Sequence, residues 1–182
     1  KKNYQKDEPI LTKDVSIKNN NESIFVYHTL HQVRYLFNIS KIKLGKNFSL
    51  EISHHFGVDN FNSFGCILFT IIDKKEYAKK IVVQVRNQHN PTHKHKFKNE
   101  TFNILFGKIK INISGKDYIL NEGDQITVAK GKWHSFTTLS HGCIFEEISN
   151  GSFHGDSIYK DKNISLNLKR KTAVSSKFKF VF

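Results

Sequence analysis

The sequence predicts a mainly β domain, a sandwich or barrel of short strands with an N-terminal arm and a short α-helix. Three observations lead to this reading. Sixteen Phe and six Tyr stand against one Trp and no Met, so the core residues are largely aromatic and β-branched, types that pack well on a pleated sheet. After Gly45 the chain breaks into nine short runs separated by turn residues: FSLEISHHF, FGCILFTIID, KKIVVQVR, TFNILFG, KIKINI, KDYILN, DQITVAK, SFTTL and GCIFEEIS. That texture belongs to sandwiches and barrels. Finally, KINISGKDYIL carries two alternating strands closed at SGKD, a hairpin pattern.

At 182 residues and 38% hydrophobic content, the chain can bury one well-packed domain with an appendage. Residues 1–44 read as that appendage, an arm and a helix packed on the barrel. The first 22 residues are polar and turn-rich, an extended arm. From Ser23, placed to cap a helix, Val26, Leu30, Val33 and Phe37 recur at amphipathic spacing. His28 and His31 lie one turn apart on this helix and read as solvated surface residues. Residues 45–172 form the β domain, and residues 173–182 a tail whose KFKFVF alternation suits a sheet edge.

The net charge of +13 raises the question of nucleic acid. The lysines, however, are spread along the chain instead of forming one dense block, and Arg is scarce, so the charge reads as compositional and no nucleic-acid partner is expected. No run of eighteen apolar residues and no apolar leader after KKNYQKDEP is visible, which predicts a soluble cytoplasmic protein with no membrane partner. Cys66 and Cys143 sit in apolar runs and read as buried free thiols of a reducing compartment.

The chemistry concentrates in HNPTHKHKFKNETF, residues 89–102. On a strand, residues two apart share a face, so His93 and His95 project side by side. Glu100 follows the polar KFKN turn, where a neighbouring strand can bring its carboxylate to the same point, and Gly107 permits the turn into KIKINI. His134 opens the strand after Gly131 and completes the set. Three imidazoles and one carboxylate suit Mn, Fe, Ni, Co or Zn, with positions open to water or substrate. The lysines between the ligands read as solvated. Among secondary candidates, Gln84, Gln88 and His89 could contact a ligand. Of Glu146 and Glu147 on GCIFEEIS, alternation turns only one inward, where it is a candidate base; His54 and His55 are limited in the same way.

The spacing HxHx4Ex6G, fifteen residues, then Gx7Gx2H resembles the two signature motifs of the cupin superfamily. The resemblance implies a double-stranded β-helix, or jelly roll, whose metal sits on His93, His95, Glu100 and His134. Three positions depart from the pattern: Asn87 where a glycine is usual, Ala129 where Pro is usual, and Thr138 where Asn is usual. None is a ligand. Over residues 45–172, EISHHFG, NQHNPTHKHKFKNETFNILFGKIKI, WHSFTT, FEEIS, GDSIY and RKT look like the cupin domain found with sialic-acid-synthase-like proteins of bacterial surface-sugar pathways. There the domain can be a C-terminal extension, which fits a chain opening on Lys. The resemblance implies a sugar or sugar-acid ligand, a homodimer, and an associated or fused synthase domain.

Sugar isomerases occur among related metal cupins, and the ligand set suits that chemistry. A cation can stabilise the charge that develops on an open-chain sugar while a base moves a proton between neighbouring carbons. Two other classes compete: a non-catalytic sugar-binding or dimerising module, and an iron-dependent oxygenase.

Overall fold

The structure, a computed structural model, describes residues 20–153 and 155–174. Its first element, α1 (Asn20–Ser40), buries Val26, Leu30, Val33, Leu36 and Phe37 on one face, the stripe read from the sequence with Leu36 added. The helix begins earlier than expected. Ser23 lies inside it, so it is not the cap, and Asn20–Glu22 belong to the helix instead of the arm. Glu22 in the first turn favours this start because its charge complements the helix dipole. The rest of the predicted arm and the KFKFVF edge fall outside the described residues. His28 and His31 are exposed, as expected, with His31 resting against Tyr27.

Two antiparallel sheets follow. One contains β1 (Ser49–His54), β2 (Gly65–Asp73), β3 (Ala78–Val85), β5 (Glu100–Phe106), β8 (Gln125–Val128), β10 (Gly142–Ser149) and β12 (Lys171–Val174), in the order β12-β1-β2-β3-β10-β5-β8. The other contains β4 (His89–His95), β6 (Ile109–Ile113), β7 (Lys116–Leu120), β9 (His134–Thr138) and β11 (Ser157–Tyr159), in the order β11-β4-β9-β6-β7. A short helix, α2 (Lys162–Leu166), lies between β11 and β12, with Asp161 accepting a bond from the Asn163 backbone N–H at its start. All nine expected runs form strands. The strand list omits β4, β11 and β12. The β4 segment HNPTHKH lacks apolar alternation and contains Pro91, which the pairing with β9 absorbs through a register shift between Asn90 and His93.

Under α1 the seven-stranded sheet is buried on both faces, which explains the apolar run Ile81–Val83 of β3. Its outer face packs Ile67, Phe69, Val83 and Ile144 under α1. Its inner face places Val82, Phe102, Ile104 and Phe145 against Ile109, Ile111 and Phe136 of the second sheet. Cys66 and Cys143 are free and buried in that inner core, and burial pushes both thiols up to about 12, so neither is a nucleophile near neutral pH.

Turn chemistry explains one of the sequence departures noted above. Asn87 adopts a left-handed φ of 63°, a conformation Asn tolerates better than most residues, so it serves where glycine is usual. Gly107 has φ 85°, and a Cβ there would run into the Gly142 carbonyl. Ser114 and Gly115 both have positive φ between the paired Ile113 and Lys116, the pattern of a type I′ hairpin.

At Gly142 α1 packs closely on the sheet, since a Cβ there would collide with the Leu36 side chain. Gly142→Ala should therefore cost about 1–3 kcal/mol through overpacking, measured as a shift in urea midpoint at unchanged slope. The same substitution should cost markedly less in a Leu36→Ala background. Equal cost in both backgrounds would show that the contact with the helix is not the constraint.

Candidate metal centre

Where the two sheets face each other at one end of the barrel, the inner core turns polar. His93 and His95 project from β4, His134 from the start of β9, and Glu100 from the first position of β5 on the opposite sheet. All four are buried, and one ligand atom of each lies within 4.8 Å of the others. The β4–β9 register places His93 directly opposite His134, and the KFKN turn carries the chain from one sheet to the other so that Glu100 meets them across the barrel.

The outer nitrogens of two imidazoles are committed. His93 Nδ1 lies 2.9 Å from the Pro91 carbonyl and His134 Nδ1 lies 3.1 Å from the Lys132 carbonyl, so in both rings Nδ1–H donates outward and Nε2 carries the free lone pair. His95 Nε2 is 3.2 Å from Glu100 Oε1, and its Nδ1 is 3.5 Å from Asp156 Oδ2. Asp156 also accepts the backbone N–H groups of Lys96 and Phe97 at 2.8 and 2.9 Å. One carboxylate thus pins the turn between β4 and β5 and lies beside the His95 ring.

The donor set fits a divalent metal. His134 Nε2 and Glu100 Oε2 are 3.2 Å apart, yet neither atom has an aligned hydrogen bond, although both are fully buried. Orphaned buried lone pairs are costly, and a cation at their point of convergence would satisfy them together. Burial and the neighbouring His134 hold the His93 imidazole well below its usual range, so it is neutral and able to ligate. Burial opposes ionisation of Glu100, but His134, His95 and Lys98 outweigh it and hold the carboxyl well below the usual range.

Lys98 corrects the expectation that the intervening lysines are solvated. It is buried, 3.0 Å from Glu147 and in contact with Glu100. Burial lowers the pKa of its ammonium, but Glu147 and Glu100 outweigh that and hold the group above its usual value. Lys94 instead covers the Trp133 ring at 4.7 Å. Of the two glutamates, Glu147 faces inward and Glu146 outward, where it pairs with Lys79 and Asn103. Burial opposes ionisation of Glu147, and Lys80 and Lys98 reverse that effect, leaving the carboxyl below its usual range.

A cavity of about 400 Å³ opens onto the cluster, lined among others by His55, Lys80, Glu147, Tyr159, Arg170 and Lys171. His55 faces this cavity. Its neighbour His54 turns toward the helix, against Phe25 and 3.0 Å from Thr172 Oγ1. Gln84, Gln88 and His89 do not line the cavity. Gln84 bonds the Gly65 carbonyl and Thr138 hydroxyl, and Gln88 bonds the Val85 N–H and Phe61 carbonyl. Their amides are spent on the scaffold because both residues are fully buried. His89 is bound to Thr137 Oγ1 at 2.8 Å. The bond from Thr138 to Gln84 also gives the unusual Thr138 a structural role. Asp156, Tyr159 and Arg170 had no assigned role in the sequence reading, although GDSIY and RKT contain them.

Compared with known proteins, residues 80–144 match the family model described as cupin domain. The fold is cupin-type. Compared with the curated proteins, the chain finds no match. Among solved structures, L-ribose isomerase of Acinetobacter sp. DL28 in complex with L-ribose superposes with a TM-score of 0.58 at 12% identity, over 71% of this chain and 81% of that one. KdgF from Halomonas sp. gives 0.47 at 12% identity, over 49% and 81%. A conserved protein with a double-stranded β-helix domain from Klebsiella pneumoniae gives 0.49 at 15%, over 53% and 84%. At these identities the likeness concerns the fold. No helix among the described residues is long and apolar enough to cross a membrane.

Burial holds the His55 imidazole down to about 3, opposed in part by a bond to the Phe64 backbone and reinforced by Arg170 and Lys171. The unfolded chain binds this proton near pH 6.5 and the folded chain does not. The stabilisation is therefore fully present above about pH 6.5 and drains away as pH falls toward 3. In chelator-treated protein, His55→Gln should flatten the stability profile between about pH 4 and 6 by up to ~1.4 kcal/mol per pH unit. Urea titrations at several pH values read this directly, and parallel profiles would contradict it.

Proposed function

We propose that this protein is a metal-dependent sugar isomerase of bacterial surface-glycan (nonulosonic acid) biosynthesis, with His93, His95, Glu100 and His134 holding a divalent ion of Mn, Fe, Co, Ni or Zn. The observation that carries the reading is the buried His₃Glu cluster opening onto a polar cavity large enough for a small ligand. A cation held there would polarise the carbonyl of an open-chain sugar and acidify the neighbouring C–H. Glu147 faces the same cavity and is the proton-transfer group in this reading. Lys80 and Lys98, 3.2 and 3.0 Å from it, keep it ionised and ready to accept a proton. Lys98 links it to Glu100, so the base and the ligand cluster are held in one fixed arrangement.

Support for a sugar comes from the resemblance of the quoted motifs to cupin domains of surface-sugar pathways and from the fold shared with an enzyme solved with L-ribose. The same reading takes residues 45–172 as the functional unit, working as a cytoplasmic homodimer beside a synthase domain. A second reading has its own observation. Two lysines on Glu147 weaken it as a base, which suits a module that holds a metal and a sugar without turning the sugar over. An iron-dependent oxygenase would instead consume dioxygen with iron bound, which an oxygen electrode measures.

Double replacement His93→Ala with His95→Ala should abolish metal retention, measured by elemental analysis after gel filtration; full occupancy would overturn the ligand assignment. With the wild-type metalloprotein and a panel of aldoses, ketoses and phosphosugars in D₂O, NMR should show isomer exchange with deuterium incorporation. Glu147→Gln should slow it by about 10²–10⁴-fold while retaining metal. Sugar binding with no incorporation would favour the accessory module.

A further inference from the structure

Among the described residues that line the cavity, one cation has no ion pair. Arg170 lines the cavity from the turn that leads into β12. Its backbone is fixed there, its carbonyl accepting from His54 N–H at 2.8 Å and its own N–H donating to Asn167 at 3.3 Å. The guanidinium lies over the Tyr159 ring, 5.2 Å from the centroid, and that ring also neighbours His93, at 5.5 Å between centroids. Arg170 is thus held two ring contacts from a ligand histidine, with His55 packed against the same tyrosine at 5.4 Å.

The other cations of the cavity are neutralised. Lys171 pairs with Glu51 at 2.7 Å, and Lys80 and Lys98 share Glu147. Arg170 has no carboxylate within ion-pair distance among the described residues, and its Nη1 is buried without a hydrogen-bond partner. A buried guanidinium N–H left unpaired is costly. A planar fork stacked on an aromatic ring is the arrangement that receives a carboxylate or phosphate through two parallel bonds.

We propose that Arg170 forms an anion subsite of this cavity and that the ligand is an acidic sugar derivative, its carbonyl end at the His₃Glu cluster and a terminal carboxylate or phosphate at the guanidinium. The inference rests on the metal-and-sugar reading above and narrows its substrate class. Tyr159 acts as the spacer that sets the distance between the two ends.

The test uses manganese-loaded protein and three forms of one hexose: glucose, glucuronate and glucose 6-phosphate, titrated by calorimetry. The charged forms should bind about tenfold to a hundredfold more tightly than glucose, the range of one charge-assisted interaction. Comparing glucuronate with glucose 6-phosphate tells which anion the subsite prefers. Arg170→Gln should bring both down to the level of glucose without changing metal content or glucose binding, and Arg170→Lys should recover part of the preference. A preference for the anionic forms that survives in Arg170→Gln, or glucose binding as well as the charged forms to the wild type, overturns the subsite and leaves the metal-and-sugar reading standing. Failure of all three to bind the metal-loaded wild type overturns both.

Discussion

Glu100 is a carboxylate buried inside a β-barrel, and most of the site is organised around making that burial tolerable. A lone ionised carboxyl in such a place would cost several kcal/mol. Here it stands at the junction of the two sheets, on β5, facing two histidines of β4 and one of β9, with Lys98 beside it. Each partner is in turn held from behind. Pro91 and Lys132 carbonyls fix two imidazoles, Asp156 faces the third and gathers the backbone of the turn before Glu100. The turn that separates ligands in sequence is therefore part of what brings them together in space.

The interior is divided along its length. At one end Phe102, Ile104, Ile111, Phe136 and Phe145 make an apolar core. At the other, the same inward positions of the same strands carry Glu100 and Glu147, continuing the alternation of β5 and β10. Helix α1 covers the outer face of the larger sheet around Ile67, Phe69, Val83 and Ile144, so there the sheet is packed on both sides. The histidines of β4 and β9 belong to the other sheet, where the Pro91 and Lys132 carbonyls hold two of the rings; a ligand set tolerates little displacement before a coordination position is lost. The cavity inherits its charge pattern from this framework: paired lysines and glutamates near the cluster, and Arg170, without an ion pair among the described residues, beyond Tyr159.

Much of this was legible in the sequence, for identifiable reasons. The nine expected strands show alternation or apolar runs, and the helical stripe has clear spacing. The four clustered residues have a fixed spacing and sit beside glycines that the turns require. What escaped notice lacked such signals. The β4 segment is polar and carries Pro91, so its strand character comes from pairing with β9 and β11 instead of from its own pattern. Lys98 resembles every other lysine of the KHKFKN stretch until the fold buries it against Glu100 and Glu147. Gln84 and Gln88 attracted attention as polar residues near the motif, but long-range bonds to Gly65, Phe61 and Thr138 occupy them. Arg170 reaches the cavity only through the pairing of β12 with β1, a contact more than a hundred residues apart in the chain.

The central claim is that one ion is held by three imidazoles from one sheet and one carboxylate from the other. X-ray absorption at the metal edge of the loaded protein reads that shell directly. The account predicts multiple scattering from three imidazole rings, with nitrogen and oxygen neighbours at about 2.0–2.2 Å and no sulfur. A shell with fewer than three imidazoles, or with a sulfur neighbour from Cys66 or Cys143 at about 2.3 Å, would contradict it.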